Sequence, residues 1–181
     1  MMGKISTARL DLRELTASDC SKAYVAWLAD PEINQFLETR HSLQDSASVL
    51  AFIEASRARD DEILLGIFVR SEAGRHIGNI KVGPLRPYHL VADVSLFIGA
   101  RDCWGKNYAT EAISGASRFA FDTMGARKLS ASMYAPNLGS MNAFLKAGYR
   151  KEGVRRDHYR LADARCDLIE LGLLPLDLEA E

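Results

Sequence analysis

One stretch, residues 91–133, limits what this 181-residue chain can fold into more than any other. Residues 92–99 form a short apolar run closed by Gly99, as a buried strand does. From Tyr108 the period changes: Ala109, Ala112, Ile113, Ala116, Phe119, Ala120 and Met124 recur at helical spacing, and Gly125 supplies a C-terminal stop. Residues 128–133 are strand-like again. A strand, a helix and a second strand in that order predict a right-handed crossover between two parallel strands, hence an α/β domain.

The chemistry of this unit lies in the loop Trp104-Gly105-Lys106-Asn107, where the first strand hands over to the helix. The first N–H groups of a helix have no helical partner, and its dipole is positive at that end. Such an end binds phosphate. Two nucleotide motifs do not apply. Gly-x-Gly-x-x-Gly is absent, and a P-loop has four residues between its glycines followed by Gly-Lys-Ser/Thr, whereas five residues separate Gly99 from Gly105 and Asn107 follows the lysine. The residues alone leave two readings open, an anion site and an ordinary strand–helix loop.

The run from Trp104 to Ala112, Trp-Gly-Lys-Asn-Tyr-Ala-Thr-Glu-Ala, resembles the acyl-CoA loop of the GNAT superfamily of N-acetyltransferases, closest to its ribosomal-protein N-terminal acetyltransferase (RimJ/RimL-like) branch. The resemblance extends over about residues 9–174. It implies a single domain with a central mixed, mostly antiparallel sheet flanked by helices, an α/β (α+β) fold with its core at 7–174 and a frayed tail at 175–181. It also implies acetyl-CoA as co-substrate, its pyrophosphate held by the loop of Trp104, Gly105, Lys106, Asn107, Tyr108, Ala109 and Thr110. Asn107 stands where the family usually has Gly; Asn is the residue that best tolerates left-handed backbone after Gly.

A second signature follows in the right order. Asn137-x-x-Ser140, then Phe144 and Gly148-Tyr149, resembles the family's Asn-x-x-Ser ending in Gly-Phe. By that resemblance Asn137 bonds the pantetheine arm and Ser140 lies near the thioester sulfur, where a hydroxyl can donate to the leaving thiolate. Ser140 also reads simply as a helix N-cap. Many relatives carry a Tyr acid where Phe144 stands, and Phe has no proton to give. The family's oxyanion donor is a backbone amide of the central strand, here near Phe97 or Ile98. Asp93 occupies the place of a Glu base in other members, and a carboxylate in an apolar strand must face a pocket, solvent or a partner. His89 and His158 are weaker alternatives as base. Asp157 and Tyr159 could select a cationic acceptor; the basic set Arg150, Lys151, Arg155, Arg156 and Arg160 an anionic one, or simply a solvated edge hairpin. Trp104 reads as packing at the loop base, and Cys103 has no evident activating base.

Composition removes other classes. A chain of this length is one domain by prior and buries roughly 70% of its unfolded surface. A net charge of −1 argues against a general nucleic-acid binder. No stretch suits a membrane span, and the opening Met1-Met2-Gly3-Lys4-Ile5 has no apolar signal core. Three scattered cysteines suit a reducing cytoplasm, and four dispersed histidines give no metal site.

The remaining elements are read in order. Residues 7–15 form a first strand, and 16–19 cap a helix running through Trp27 and Leu28. Pro31 opens another helical turn, with Ile33, Phe36 and Leu37 on one side. Ser42 caps a helix to residue 57; 62–70 and 76–83 make a hairpin around 71–74. Ser140 starts a short helix ending at 147, and 149–159 with 166–174 form a last hairpin. The predicted activity is direct transfer of an acetyl group from acetyl-CoA to a primary amine in a ternary complex. The acceptor is a protein N-terminus, or else a small amine such as a nucleotide-linked amino sugar, polyamine or amine antibiotic; a non-catalytic CoA-binding module is the rival class. A homodimer is compatible with either.

Overall fold

The alternating leucines near the start build a strand beside the sheet's first edge. In the computed structural model, which describes residues 4–178, Leu10 and Leu12 lie in β2 (Leu10–Glu14), shorter than the expected 7–15, and the edge itself is a separate two-residue strand, β1 (Ile5–Ser6). The break comes at Thr7, whose hydroxyl bonds both the carbonyl and the amide of Leu10 and turns the chain back. The expected helix start at 16–19 is instead a single 3-10 turn, Ala17–Asp19, and α1 (Lys22–Ala29) begins at Ser21, whose Oγ accepts from the Tyr24 amide at 3.1 Å. Then α2 (Pro31–Asn34) starts at its proline as expected, capped by Asp30. A further correction concerns α3 (Ser46–Arg57): Asp45, not Ser42, is its cap. Asp45 and Ser48 satisfy each other's backbone amides reciprocally, at 2.8 and 2.9 Å, while the Ser42 hydroxyl is taken up by Thr39 and Gln44.

The hairpin of β3 (Ile63–Val69) and β4 (Arg75–Val82) leads into β5 (Val91–Ile98). The predicted crossover follows as α4 (Tyr108–Asp122) and β6 (Lys128–Tyr134), with Gly125 left-handed at φ 74°. Next come α5 (Leu138–Lys146), the long hairpin β7 (Arg150–Leu161) and β8 (Ala164–Leu173), and α6 (Pro175–Leu178). That hairpin closes more tightly than expected, since only Ala162 and Asp163 separate its strands. The tail does not fray at 175: Asp177 is buried, accepts from the Leu174 amide and pairs with Arg150 at 2.8 Å. Residues 179–181, and Met1 to Gly3 of the opening segment, lie outside the described residues. No described helix is long and apolar enough to cross a membrane.

The eight strands form one sheet in the order β1-β2-β3-β4-β5-β6-β8-β7. Each pairing is antiparallel except β5 with β6, which is parallel as predicted. Strand β3 reads as an unbroken apolar run because both its faces are covered. Leu65, Ile67 and Val69 enter the core that also holds Ala112, Ile113, Ala116 and Ala120 of α4; Leu64 and Phe68 point the other way, beneath Tyr24, Leu28, Val49 and Ile53 of α1 and α3. Strand β6 differs. Leu129, Ala131 and Met133 are buried, whereas the alternating Ser132 is exposed and Lys128 reaches Glu152 at 2.6 Å across the sheet's open face.

The feature that positions the site is a failure of pairing. Parallel contact between β5 and β6 lasts three residue pairs, Val91 with Lys128, Ala92 with Leu129 and Asp93 with Ser130. Beyond them the strands part, and the second half of β5 has no neighbour on that side.

Candidate active site

Backbone alternation decides which groups of β5 face the gap. Gly83 donates to the Asp93 carbonyl and Gly99 to that of Ile77, each at 2.8 Å. In an antiparallel ladder this commits the peptide groups of Asp93, Ser95 and Phe97 to β4, and turns those of Leu96 and Ile98 toward the missing β6. Of the two amides the sequence left open for the oxyanion, the Ile98 N–H therefore faces the gap and that of Phe97 does not. The Ile98 carbonyl is occupied by the Trp104 indole, which donates to it at 2.8 Å. Trp104 thus ties the end of β5 to the loop beyond and is more than packing.

After a 3-10 turn at Arg101–Cys103 the loop passes through two left-handed residues, Gly105 at φ 73° and Asn107 at φ 62°, straight into α4. Asn107 adopts the conformation that made it a tolerable replacement for Gly. No side chain caps α4, so its first-turn amides stay available. At α5 the assignment changes. Asn137 is the cap, its Oδ1 accepting from the Ser140 amide at 3.3 Å, and the helix begins at Leu138 rather than Ser140. Ser140 is the third residue of the helix, in its first turn, and its hydroxyl has no partner among the described residues.

These parts converge on one cavity of about 450 Å³. Leu96, Phe97 and Ile98 line it from β5, Trp104, Gly105, Asn107, Tyr108, Ala109 and Thr110 from the loop and α4, and Asn137 and Ser140 from α5. Every predicted cofactor residue is brought together here except Lys106, which is exposed and does not line the cavity. The set suits a long ligand with an anionic head: open helix amides at one end, unpaired strand peptides in the middle and an apolar wall beyond.

The candidate bases are not brought there. The Asp93 side chain is 47% exposed and pairs with Arg86 at 3.0 Å. It shares a strand face with Phe97, but four residues of strand separate their α-carbons by about 13 Å. Direct contact with a reacting amine beside Ile98 is out of its reach. His89 and His158 do not line the cavity either. Cys103 does, yet burial first, and then Asp102, push its thiol pKa up, which disfavours the thiolate.

The far wall was only half visible in the sequence. Ile33, Phe36 and Leu37 line it as their one-sided spacing suggested. What holds them was not foreseen. Arg101 grips the α1–α2 corner, bonding Asp30 and Glu32 at 2.5 Å, and Trp27 lies directly on Gly99, where a Cβ would fall 2.1 Å from the indole. Phe36 rests against Tyr134, which stacks on Tyr159 with ring centres 4.2 Å apart. The Tyr134 hydroxyl donates to Glu38 and accepts from Arg40 at 2.7 Å; burial first, and then Glu38, raise its pKa.

Comparison with known proteins bears on the family and the fold. YoaA of Bacillus subtilis, named an uncharacterized N-acetyltransferase, is 28% identical over 156 residues, covering 85% of this chain and 86% of YoaA. RimL, a ribosomal alpha-N-protein acetyltransferase solved in complex with coenzyme A, has the same fold at a TM-score of 0.84 and 12% identity, over 95% of this chain and 98% of that one. The spermidine N-acetyltransferase of Vibrio cholerae, solved with CoA and spermine, superposes at a TM-score of 0.83 and 16% identity over 95% and 99% of the two chains. The family model described as an acetyltransferase (GNAT) domain matches residues 9–150, and the chain belongs to the GNAT acetyltransferase family.

Proposed function

We propose that the protein moves an acetyl group from acetyl-CoA directly to a primary amine, with both substrates bound, in the cytoplasm where acetyl-CoA is supplied. One observation carries the reading: two helix N-termini and the gap-facing amides of Leu96 and Ile98 meet in a single cavity. In it, amides of residues 105–110 hold the pyrophosphate and Asn137 bonds the pantetheine arm. The Ile98 N–H is aimed where a thioester oxyanion would develop. Ser140 donates a hydrogen bond to the departing thiolate from the start of α5, and the thiolate takes its proton from water. Proximity supplies much of the remaining rate. The amine's own proton leaves through water along the open sheet face, since no described carboxylate or imidazole that lines the cavity is free to take it. Glu32, the one carboxylate lining it, is already paired with Arg101.

The same pairing bears on the acceptor. A polyamine needs several free carboxylates along its length, and this wall is mostly apolar, with Glu38 bonded to Tyr134. A single amine next to an apolar group, such as a protein N-terminus, fits better. The test is acetyl-CoA-dependent thiol release with a panel of N-terminal peptides and with spermidine. Faster release with peptides is the expected result. A preference for spermidine would replace the acceptor class, and no release with any amine, alongside a melting shift with acetyl-CoA, would leave a binding module.

A further inference from the structure

We propose that Arg9 is a positioning residue that sets the aim of the cofactor loop, with Glu111 as its anchor; this rests on the reading that residues 105–110 hold the CoA pyrophosphate. Lys106 lies between the two left-handed residues of the loop, and its carbonyl accepts from Arg9 Nη1 at 3.0 Å. A trans peptide points its C=O and its N–H in opposite directions. The peptide from Lys106 to Asn107 therefore turns its carbonyl out to Arg9 and its N–H, that of Asn107, back toward the cavity. Fixing the carbonyl fixes the donor. Lys106 acts through its peptide group, and its side chain is exposed.

Arg9 can hold that peptide because, though exposed, it is itself anchored through both its backbone and its side chain. Its Nε donates to Glu111 Oε2 at 2.7 Å and its backbone amide to Glu111 Oε1 at 2.6 Å, and its guanidinium lies 4.5 Å from the centre of the Tyr108 ring. Glu111 is nearly covered, at 15% side-chain exposure, and also accepts from the Thr7 hydroxyl at 2.6 Å. It stands in the first turn of α4, where the dipole favours an acid. A single carboxylate thus joins the turn between the first two strands, the start of α4 and, through Arg9, the loop between them. Neither residue touches the cavity. Both act on a ligand only through the backbone they hold.

The experiment compares CoA with pantetheine, which has the same arm but lacks the pyrophosphate, by calorimetry on the wild type, Arg9→Ala and Arg9→Lys. Arg9→Ala should weaken CoA binding about tenfold, as expected for loss of a charge-assisted hydrogen bond, and leave pantetheine binding unchanged. Arg9→Lys, which keeps the charge beside Glu111 but not the fork, should fall between, and it serves as the test if Arg9→Ala does not fold. In turnover the loss should appear as a raised KM for acetyl-CoA with kcat retained at saturation. Equal loss of CoA and pantetheine affinity would mean general loosening and would overturn the proposal, as would unchanged CoA affinity. A wild type that binds CoA no more tightly than pantetheine would overturn the pyrophosphate reading itself, and the clamp with it.

Discussion

The two ends of the cavity are made of different material. The end assigned to the cofactor is mostly backbone: the first turns of α4 and α5 and the edge of β5 past Asp93. The far end is made of side chains from α2 and the segment after it, Ile33, Phe36 and Leu37, held by the ion pairs of Arg101 and backed by the stacked rings of Tyr134 and Tyr159. Backbone donors depend on chain shape, so a short run with a left-handed residue in the right place specifies them. A wall of side chains depends on which distant segments meet. The first kind of site is shared easily among relatives, while the second is free to change with the acceptor.

Substitutions at four positions separate these ends, and the largest effect should come from the chemistry where they meet. Ser140→Ala should lower kcat about 100-fold if its hydroxyl serves the leaving thiolate, with acetyl-CoA affinity unchanged; Asp93→Asn should alter kcat by no more than about threefold. The reverse ranking, read from steady-state rates, would return the proton transfer to β5. Next in size is Asn107→Val, which forces a β-branched residue into left-handed backbone. At roughly 1–2 kcal/mol it should raise the dissociation constant for acetyl-CoA about tenfold, whereas Asn107→Gly should leave it nearly unchanged. Arg101→Ala frees the α1–α2 corner; the acceptor KM should rise about fivefold while acetyl-CoA binding holds, and a loss confined to acetyl-CoA would show that Arg101 serves the loop instead.

The smallest effect is one of pH. His76 lies behind the far wall, stacked on Phe68 at 4.8 Å and edge-on to Trp27 at 5.2 Å. Burial, partly offset by its bonds to Asn79 and Gly78, lowers its pKa from 6.5. The fold therefore prefers the neutral ring and the unfolded chain takes up the proton first. The stability it contributes is full above pH 6.5 and is lost as pH falls through its lower folded value. Melting temperature should drop between pH 7.5 and pH 5, and His76→Gln should flatten that drop; an unaltered slope would place the acid sensitivity elsewhere.

Much of the fold was legible, for a reason that also marks the limit. The crossover could be read because a change of period from strand to helix and a closing Gly125 are local signals. The shape of the loop before α4 could be read because Gly105 and Asn107 lie two residues apart in sequence. The caps were misplaced twice in the same way. Ser42 and Asp45, like Asn137 and Ser140, are three apart and all of capping type, and only the bonds of the folded turn choose between them. Phe97 and Ile98 could not be ranked because the choice depends on the hydrogen-bond register against β4. Asp93 was correctly placed in β5, but its distance along the strand and its pairing with Arg86 were not visible. Tyr134 and Glu38, bonded across 96 residues of chain, left no local trace at all.

The short seam between β5 and β6 has a mechanical consequence. Hydrogen bonding across the middle of the eight-stranded sheet rests on three residue pairs, so the two halves resemble leaves on a narrow hinge. An occupant of the gap that carries amide groups of its own can bond to both leaves as a strand would. Hydrogen exchange at Leu96 and Ile98 would then report each arrival and departure directly, and a sheet left incomplete by its own sequence would be completed, turnover by turnover, by what it consumes.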